Sequence, residues 1–329
     1  MKTLVIGSNS FSGSNFVNNL IEKGFEVIGI SRSEEPHDVF LPYKWDCKKS
    51  PSYKFYAMDI NKDLEDIVSK VGSFKPKFVV NFAALGMVAE SWKKPEDWFM
   101  TNVVSQVKLH DRLRKFDFIE NYLNFSTPEV YGSTDGWIKE SYDFSPNTPY
   151  AASRAACDLH LMTFFRNYDF PVTFTRAANV FGEGQQLYRI VPKTILCALL
   201  GKKLDLHGGG SSERSFIHID DVSDATYSVM KEGKYGETYH ISTNSKISIK
   251  DLVWLIAEIV SVNPEEFVRN TEERLGKDHT YALNSEKIRA ELSWSEKISL
   301  EDSIDRTVNW VKNNIEILKE LPHEYIHKS

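Results

Sequence analysis

Leu4-Val5-Ile6-Gly7-Ser8-Asn9-Ser10-Phe11-Ser12-Gly13 decides the fold, and it stands at the start of a chain of 329 residues. Three apolar residues form a short strand. The run from Ser12 to Lys23 then reads as a helix, with Phe16, Val17, Leu20 and Ile21 on one face. Between them lies a turn bounded by Gly7 and Gly13. Glycine there permits a tight strand-to-helix turn and lets backbone N–H groups approach a pyrophosphate at a helix N-terminus.

Outward from that turn the pattern repeats. Glu26–Ile30, Lys54–Ala57, Phe78–Val80, Asn121–Ser126 and Val172–Thr175 read as strands. Lys62–Val71, Trp98–Lys115 and Pro149–Arg166 read as the helices between them. Strands alternating with helices imply parallel pairing and right-handed crossovers, hence an α/β doubly wound parallel sheet. After about Phe181 the rhythm loosens into short strands (Leu204–Leu206, Thr238–Ile241) and helices (Asp221–Lys231, Ile249–Val260, Leu300–Asn314). The expected division is a dinucleotide-binding domain over 1–180 and a smaller mixed α/β substrate lobe over 181–329, with the boundary crossed more than once.

Composition narrows the class. The chain is 41% hydrophobic and 26% charged, as a soluble globular protein is. A net charge of -6 argues against a nucleic-acid surface. No apolar run approaches the roughly 20 residues of a membrane helix. Cys47, Cys157 and Cys197 are scattered, so neither a disulfide framework nor a zinc site is expected, and reduced thiols point to the cytoplasm. The nine histidines lead to no expected metal site.

Two further stretches carry chemistry. The second strand ends in Ser31-Arg32-Ser33, where a carboxylate would bind the ribose hydroxyls of NAD. Arg32 is instead a phosphate partner, so the reading leans to NADP over NAD. Further on, Tyr150 and Arg154 are one helical turn apart and project the same way. A free Tyr titrates near 10, so making it a base near neutrality takes about 4 kcal/mol. A fixed charge about 4 Å away supplies that much at an effective dielectric of about 20. Arg154 is expected to be that charge.

The segments Gly7–Gly13, Asn81–Ala84, Ser126-Thr127-Pro128-Glu129-Val130-Tyr131-Gly132, Tyr150–Arg154, Arg176–Gly182, Glu213–Asp221 and Arg274–Ala282 come in an order that resembles the extended short-chain dehydrogenase/reductase family. Within it they are most similar to the nucleotide-sugar 4,6-dehydratase and epimerase branch. The resemblance implies a Rossmann-type fold and a nucleotide-diphosphate-sugar substrate, with assembly as a homodimer or homotetramer. It implies a cofactor site of Gly7, Ser10, Phe11, Gly13, Ser31, Arg32, Asp59, Ile60, Ala83 and Asn102. Catalysis would fall to Tyr150, Arg154, Thr127 and Glu129, with Asn179, Arg189, Arg214 and Arg274 on the sugar nucleotide. Tyr150 would take the proton of the sugar 4-hydroxyl, Thr127 would bind that hydroxyl, and Glu129 would take the C5 proton before water leaves across C5–C6.

Three residues depart from the family pattern. Ser10 replaces the middle glycine of the phosphate turn, Arg154 replaces a lysine, and Pro128 stands where one branch keeps a proton-donating aspartate. Glu129, for which a simple 4-epimerase has no use, nonetheless makes 4,6-dehydration with internal hydride return the expected reaction. C4 epimerisation, 4-oxidation alone or decarboxylation through the same 4-keto stage are the alternatives, and a nucleotide-binding relative without turnover is a third reading. The base of the nucleotide stays open, because the Arg32 and Ser91–Pro95 segments lean to the GDP-mannose-like branch and the Arg274 segment to the dTDP-glucose-like one.

Overall fold

A computed structural model describes residues 1–45, 52–134, 136–272 and 282–327. Its centre is a seven-stranded sheet. In chain order the strands are β1 (Lys2–Ile6), β2 (Glu26–Ser31), β3 (Tyr53–Ala57), β4 (Phe78–Asn81), β5 (Asn121–Phe125), β6 (Val172–Ala177) and β7 (Thr238–Ile241). Their order across the sheet is β7-β6-β5-β4-β1-β2-β3, and every pair is parallel. Strand order reverses between β1 and β4, the point at which an open α/β sheet leaves a crevice for a ligand.

Helices cover both faces, as a sheet buried on both sides requires. On one face α1 (Phe11–Glu22) packs against the helix Ile219–Glu232 over a core containing Phe16, Leu20, Phe25 and Val80. On the other, α2 (Leu64–Phe74), α3 (Ser105–Leu113) and α4 (Pro149–Tyr168) enclose Leu4, Ile28, Val79, Leu109 and Leu161. Each such fully buried side chain contributes about 1.5–3 kcal/mol. One detail differs from the sequence reading. The helix expected over Trp98–Lys115 is broken into Pro95–Phe99, a π-helical turn at Met100–Val104, and α3. No residue type in Met100–Val104 announces the π turn, and its apolar Met100 and Val104 are exposed. The chain returns to the sheet after residue 181, because the helix Ile219–Glu232 and β7 belong to the sheet half.

The lobe has a separate core of Phe181, Val191, Ile195, Leu252, Ile256 and Val308. It is built on α5 (Ile190–Leu200), α6 (Ile249–Val260) and α7 (Leu300–Asn313).

Candidate active site

The turn after β1 is tight for identifiable reasons. Gly7 has φ +82°, and a Cβ on it would lie 2.6 Å from the Ala83 amide nitrogen. A Cβ on Gly13 would lie 2.2 Å from the Gly7 carbonyl oxygen. Ser10 is the N-cap of α1: its Oγ accepts from the Gly13 N–H at 3.0 Å and donates to the Gly7 carbonyl at 2.7 Å. The one proton of this hydroxyl thus closes the turn and does not face outward to a phosphate. Phe11 is buried in the core beneath it.

At the edge of the crevice Ser31 is half-buried and its Oγ accepts from the Asn9 N–H at 2.9 Å, while Arg32 is exposed beside it. Asp59 is buried and accepts from the Asn61 N–H, and Ile60 joins the adjoining core. The Ala83 N–H is held by Asn81 Oδ1 and its carbonyl by Gln106. Asn102 lies in the π turn and is fully buried. Its Oδ1 accepts from the Leu85 N–H, and its Nδ2 donates to the Leu85 carbonyl and to Ser153 Oγ. Both its donor hydrogens are thus engaged within the protein, and it ties the loop after β4 to α4.

Two local motifs build the centre. Thr127 caps a 3-10 turn over Pro128–Tyr131, accepting from the Glu129 N–H, and Pro128 occupies the first position of that turn. Proline suits such a position because its fixed φ fits and its missing N–H has no partner to lose. Thr148 caps α4, Pro149 follows it, and Tyr150 is thereby set in the first turn. Thr127 and Tyr150 share a side-chain hydrogen bond. Burial raises the Tyr150 phenol above its ordinary value and the Glu129 carboxylate adds to that, while Arg154, the Thr127 hydrogen bond and Arg189 oppose the rise. Thr127, Glu129, Arg154 and Arg189 therefore all bear on Tyr150.

The net direction corrects an expectation. Arg154 does not by itself bring Tyr150 towards neutrality. Its guanidinium donates to the Phe125 carbonyl at the end of β5, and burial plus Glu129 outweigh its charge. Arg154 Nε, also buried, has no partner among the described residues.

Below the centre lies a buried polar network that sequence reasoning missed. Asp158 stands one further turn along the Tyr150–Arg154 face. It accepts from Asn124 (2.9 Å), Ser126 (2.6 Å) and Arg176 (2.8 Å). Arg176 also donates to the Tyr131 hydroxyl, which bonds His240 at 2.8 Å. No local pattern announces these partners, because they come from four different elements.

On the substrate side Asn179 begins a short strand paired with Phe216–His218, and Arg214 is buried next to it in chain order. Arg189 is exposed ahead of α5, its guanidinium over the Tyr188 ring. His218 caps the helix that follows it and bonds Glu183 at 2.8 Å. Arg274 lies outside the described residues. Among the described residues no cluster could hold a metal ion, and no helix is long and apolar enough to cross a membrane.

A switch-point crevice with a glycine phosphate turn and a Tyr–Thr–carboxylate cluster defines the class: a Rossmann-type protein of the extended short-chain dehydrogenase/reductase kind. The model of the GDP-mannose 4,6 dehydratase family matches residues 4–307, and the chain belongs to that family. It is 31% identical to human dTDP-D-glucose 4,6-dehydratase, over 95% of this chain and 90% of that one. It is 29% identical to a trifunctional UDP-glucose 4,6-dehydratase/3,5-epimerase/reductase of Arabidopsis thaliana over 95% of its length, and spans about half (47%) of that longer protein. Among solved structures, a dTDP-glucose 4,6-dehydratase from Streptomyces venezuelae with NAD bound superposes with a TM-score of 0.89 at 30% identity, covering 96% of this chain and 98% of that one. A Thermotoga maritima UDP-glucose 4-epimerase with UDP-glucose gives 0.87 at 26% identity, covering 96% and 100%.

Proposed function

We propose that the chain is an NAD(P)-dependent nucleotide-sugar 4,6-dehydratase that oxidises an NDP-hexose at C4, eliminates water across C5–C6 and returns the hydride to C6. The observation that carries this reading is Glu129: a carboxylate coupled to the Tyr150–Thr127 pair has work in an elimination and none in a simple C4 epimerisation. The phosphate turn fits a dinucleotide, since Gly7 and Gly13 let the chain pack tightly enough to bring the N-terminus of α1 to the end of β1. The buried, unpartnered Nε–H of Arg154 is a donor for a ligand hydroxyl.

A bound nicotinamide supplies the acceptor and donor of the C4 hydride. The remaining steps fall to this chain. Thr127 orients the sugar 4-hydroxyl and Tyr150 takes its proton. Burial and Glu129 raise the phenol in the free protein, and a bound oxidised nicotinamide would oppose that rise with its positive charge. Glu129 takes the C5 proton, which the C4 ketone acidifies. Pro128 donates nothing, so Glu129 passes that proton to the departing 6-hydroxyl, and a solvent proton taken up by Glu129 then returns to C5 as the hydride reaches C6. Asn179, Arg189, Arg214 and Arg274 hold the diphosphate.

Ser31 and Arg32 at the end of β2 favour NADP, and titration with both dinucleotides tests that preference. The exposed apolar side chains Phe99, Met100, Val104 and Leu159, on the helices around α4, support a homodimer or homotetramer, which light scattering measures. Free, buried Cys157 and Cys197 fit a cytoplasmic setting.

The test is mass spectrometry of an NDP-sugar panel incubated in deuterated water. Loss of one water with one deuterium at C5 supports the dehydratase and names the nucleotide. A new isomer of unchanged mass supports the second reading, an NDP-sugar 4-epimerase, which the missing acid at Pro128 favours. No change with any sugar rejects both.

A further inference from the structure

The segment after the last helix is held in a way that the dehydratase chemistry does not use. Following the helical turn Ile315–Leu318, residues 321–327 alternate: Leu321, His323, Tyr325 and His327 are half-buried, whereas Pro322, Glu324 and Ile326 are exposed. A period of two is the signature of an extended strand lying on a surface with one face docked. Its contacts run from the lobe to the sheet half. On the lobe side Glu324 pairs with Lys193 of α5 at 2.8 Å, and the Tyr325 ring meets Tyr188 edge-on, with centroids 5.5 Å apart. On the sheet side His327 Nε2 lies 2.8 Å from Asp97 Oδ2, and its ring stacks on Trp98 at 5.0 Å and 21°. The Tyr325 hydroxyl and His327 Nδ1 are 3.4 Å apart.

Those two anchorages lie in different halves of the molecule, Lys193 and Tyr188 in the lobe, Asp97 and Trp98 beside the sheet. Tyr188 immediately precedes Arg189, whose charge reaches Tyr150. Asp97 and Trp98 immediately precede the π turn that carries Asn102. Arg32, at the end of β2, and Arg189 both act on the Tyr325 phenol, which places Tyr325 near the charged groups of both halves.

We propose that residues 321–327 form a strap across the mouth of the crevice, fastened by His327 on Asp97 and Trp98, and that Tyr325 and His327 thereby retain the bound dinucleotide. The proposal deepens the dehydratase reading, because a reaction that returns its hydride within each turnover has no need to release the cofactor. The retention itself is measured without any sugar, so it stands or falls separately from the reaction.

The experiment is the dissociation rate of NADPH, and of NADH in parallel, from the full chain, followed by loss of nicotinamide fluorescence on displacement with excess oxidised dinucleotide. His327→Ala and Asp97→Asn are each expected to speed dissociation about tenfold while changing the association rate little, as a lost closing contact does. The double variant should be no faster than either single one, because both remove the same fastening. Tyr325→Ala should speed dissociation as well, whereas Ile326→Ala, on the exposed face, should change it less than twofold. Thermal melts of each variant separate loss of the strap from loss of fold, since a merely structural contact lowers the melting temperature and leaves the dissociation rate of the folded protein unchanged. Rates within twofold of the unmodified chain for both His327→Ala and Asp97→Asn overturn the proposal, as does a double variant whose effect is the product of the two singles.

Discussion

Replacing Asp158 by Asn tests the network on which the active site rests. The Asp158–Arg176 pair is fully buried, with both side chains at 0% exposure. The change keeps the shape of the side chain but removes the charge, so Arg176 is left buried with no anion beside it. Breaking a buried pair in this way costs about 3–5 kcal/mol. The new amide also turns an NH2 towards one of three donors, Asn124, Ser126 or Arg176, where the carboxylate accepted from all of them. At about 2.1 cal/mol/K per residue, the unfolding entropy of this chain is about 0.7 kcal/mol/K, so 4 kcal/mol lowers the melting temperature by about 6 °C. Urea unfolding at pH 7 reads the same loss as a fall in the midpoint. The double variant Asp158→Leu with Arg176→Met removes both charges at similar volume and should lose less than Asp158→Asn alone, because no stranded charge remains. A loss below about 1 kcal/mol for Asp158→Asn, or a double variant as unstable as the single one, would refute the claim that the buried charge pair organises this region.

Three further outcomes follow from local geometry. Ser10→Ala removes the cap of α1 and should cost about 1 kcal/mol in urea unfolding, whereas Ser10→Gly should cost only a few tenths. Gly13→Ala forces a Cβ to within 2.2 Å of the Gly7 carbonyl, so the phosphate turn must open and dinucleotide affinity, measured by titration, should fall at least about tenfold. Burial would raise the Glu183 carboxyl, but its hydrogen bond to His218 and the nearby Arg306 prevail and hold it at about 2, against an ordinary 4.5. A depressed carboxyl adds stability above its unfolded value and loses it as pH falls, so Glu183→Gln should cost up to about 3 kcal/mol at pH 7. That cost should vanish between pH 4.5 and about 2 in denaturant melts taken across the range.

Much of this protein was legible in its sequence because much of it is local. A strand, a glycine turn and an amphipathic helix are each decided by neighbours a few residues apart, and that is enough to read β1, α1 and the parallel sheet. Thr127, Glu129, Tyr150 and Arg154 were named from short motifs for the same reason: Thr127 and Thr148 fix their own turns by capping them. Two of the three departures from the family pattern, Ser10 and Pro128, have local explanations as a helix cap and a first-turn proline.

What the tertiary structure alone decided is how those residues act on one another. Whether Arg154 lowers Tyr150 depends on where its guanidinium points and on how burial and Glu129 weigh against it, and neither is a property of spacing. The π turn that seats Asn102 is announced by no residue type in Met100–Val104. The Asp158–Arg176 pair and the docking of His327 on Asp97, 230 residues away, join segments that only the folded chain brings together. Short-range order is written into consecutive residues, whereas electrostatics and long-range contacts depend on distances that the closing of the whole fold sets.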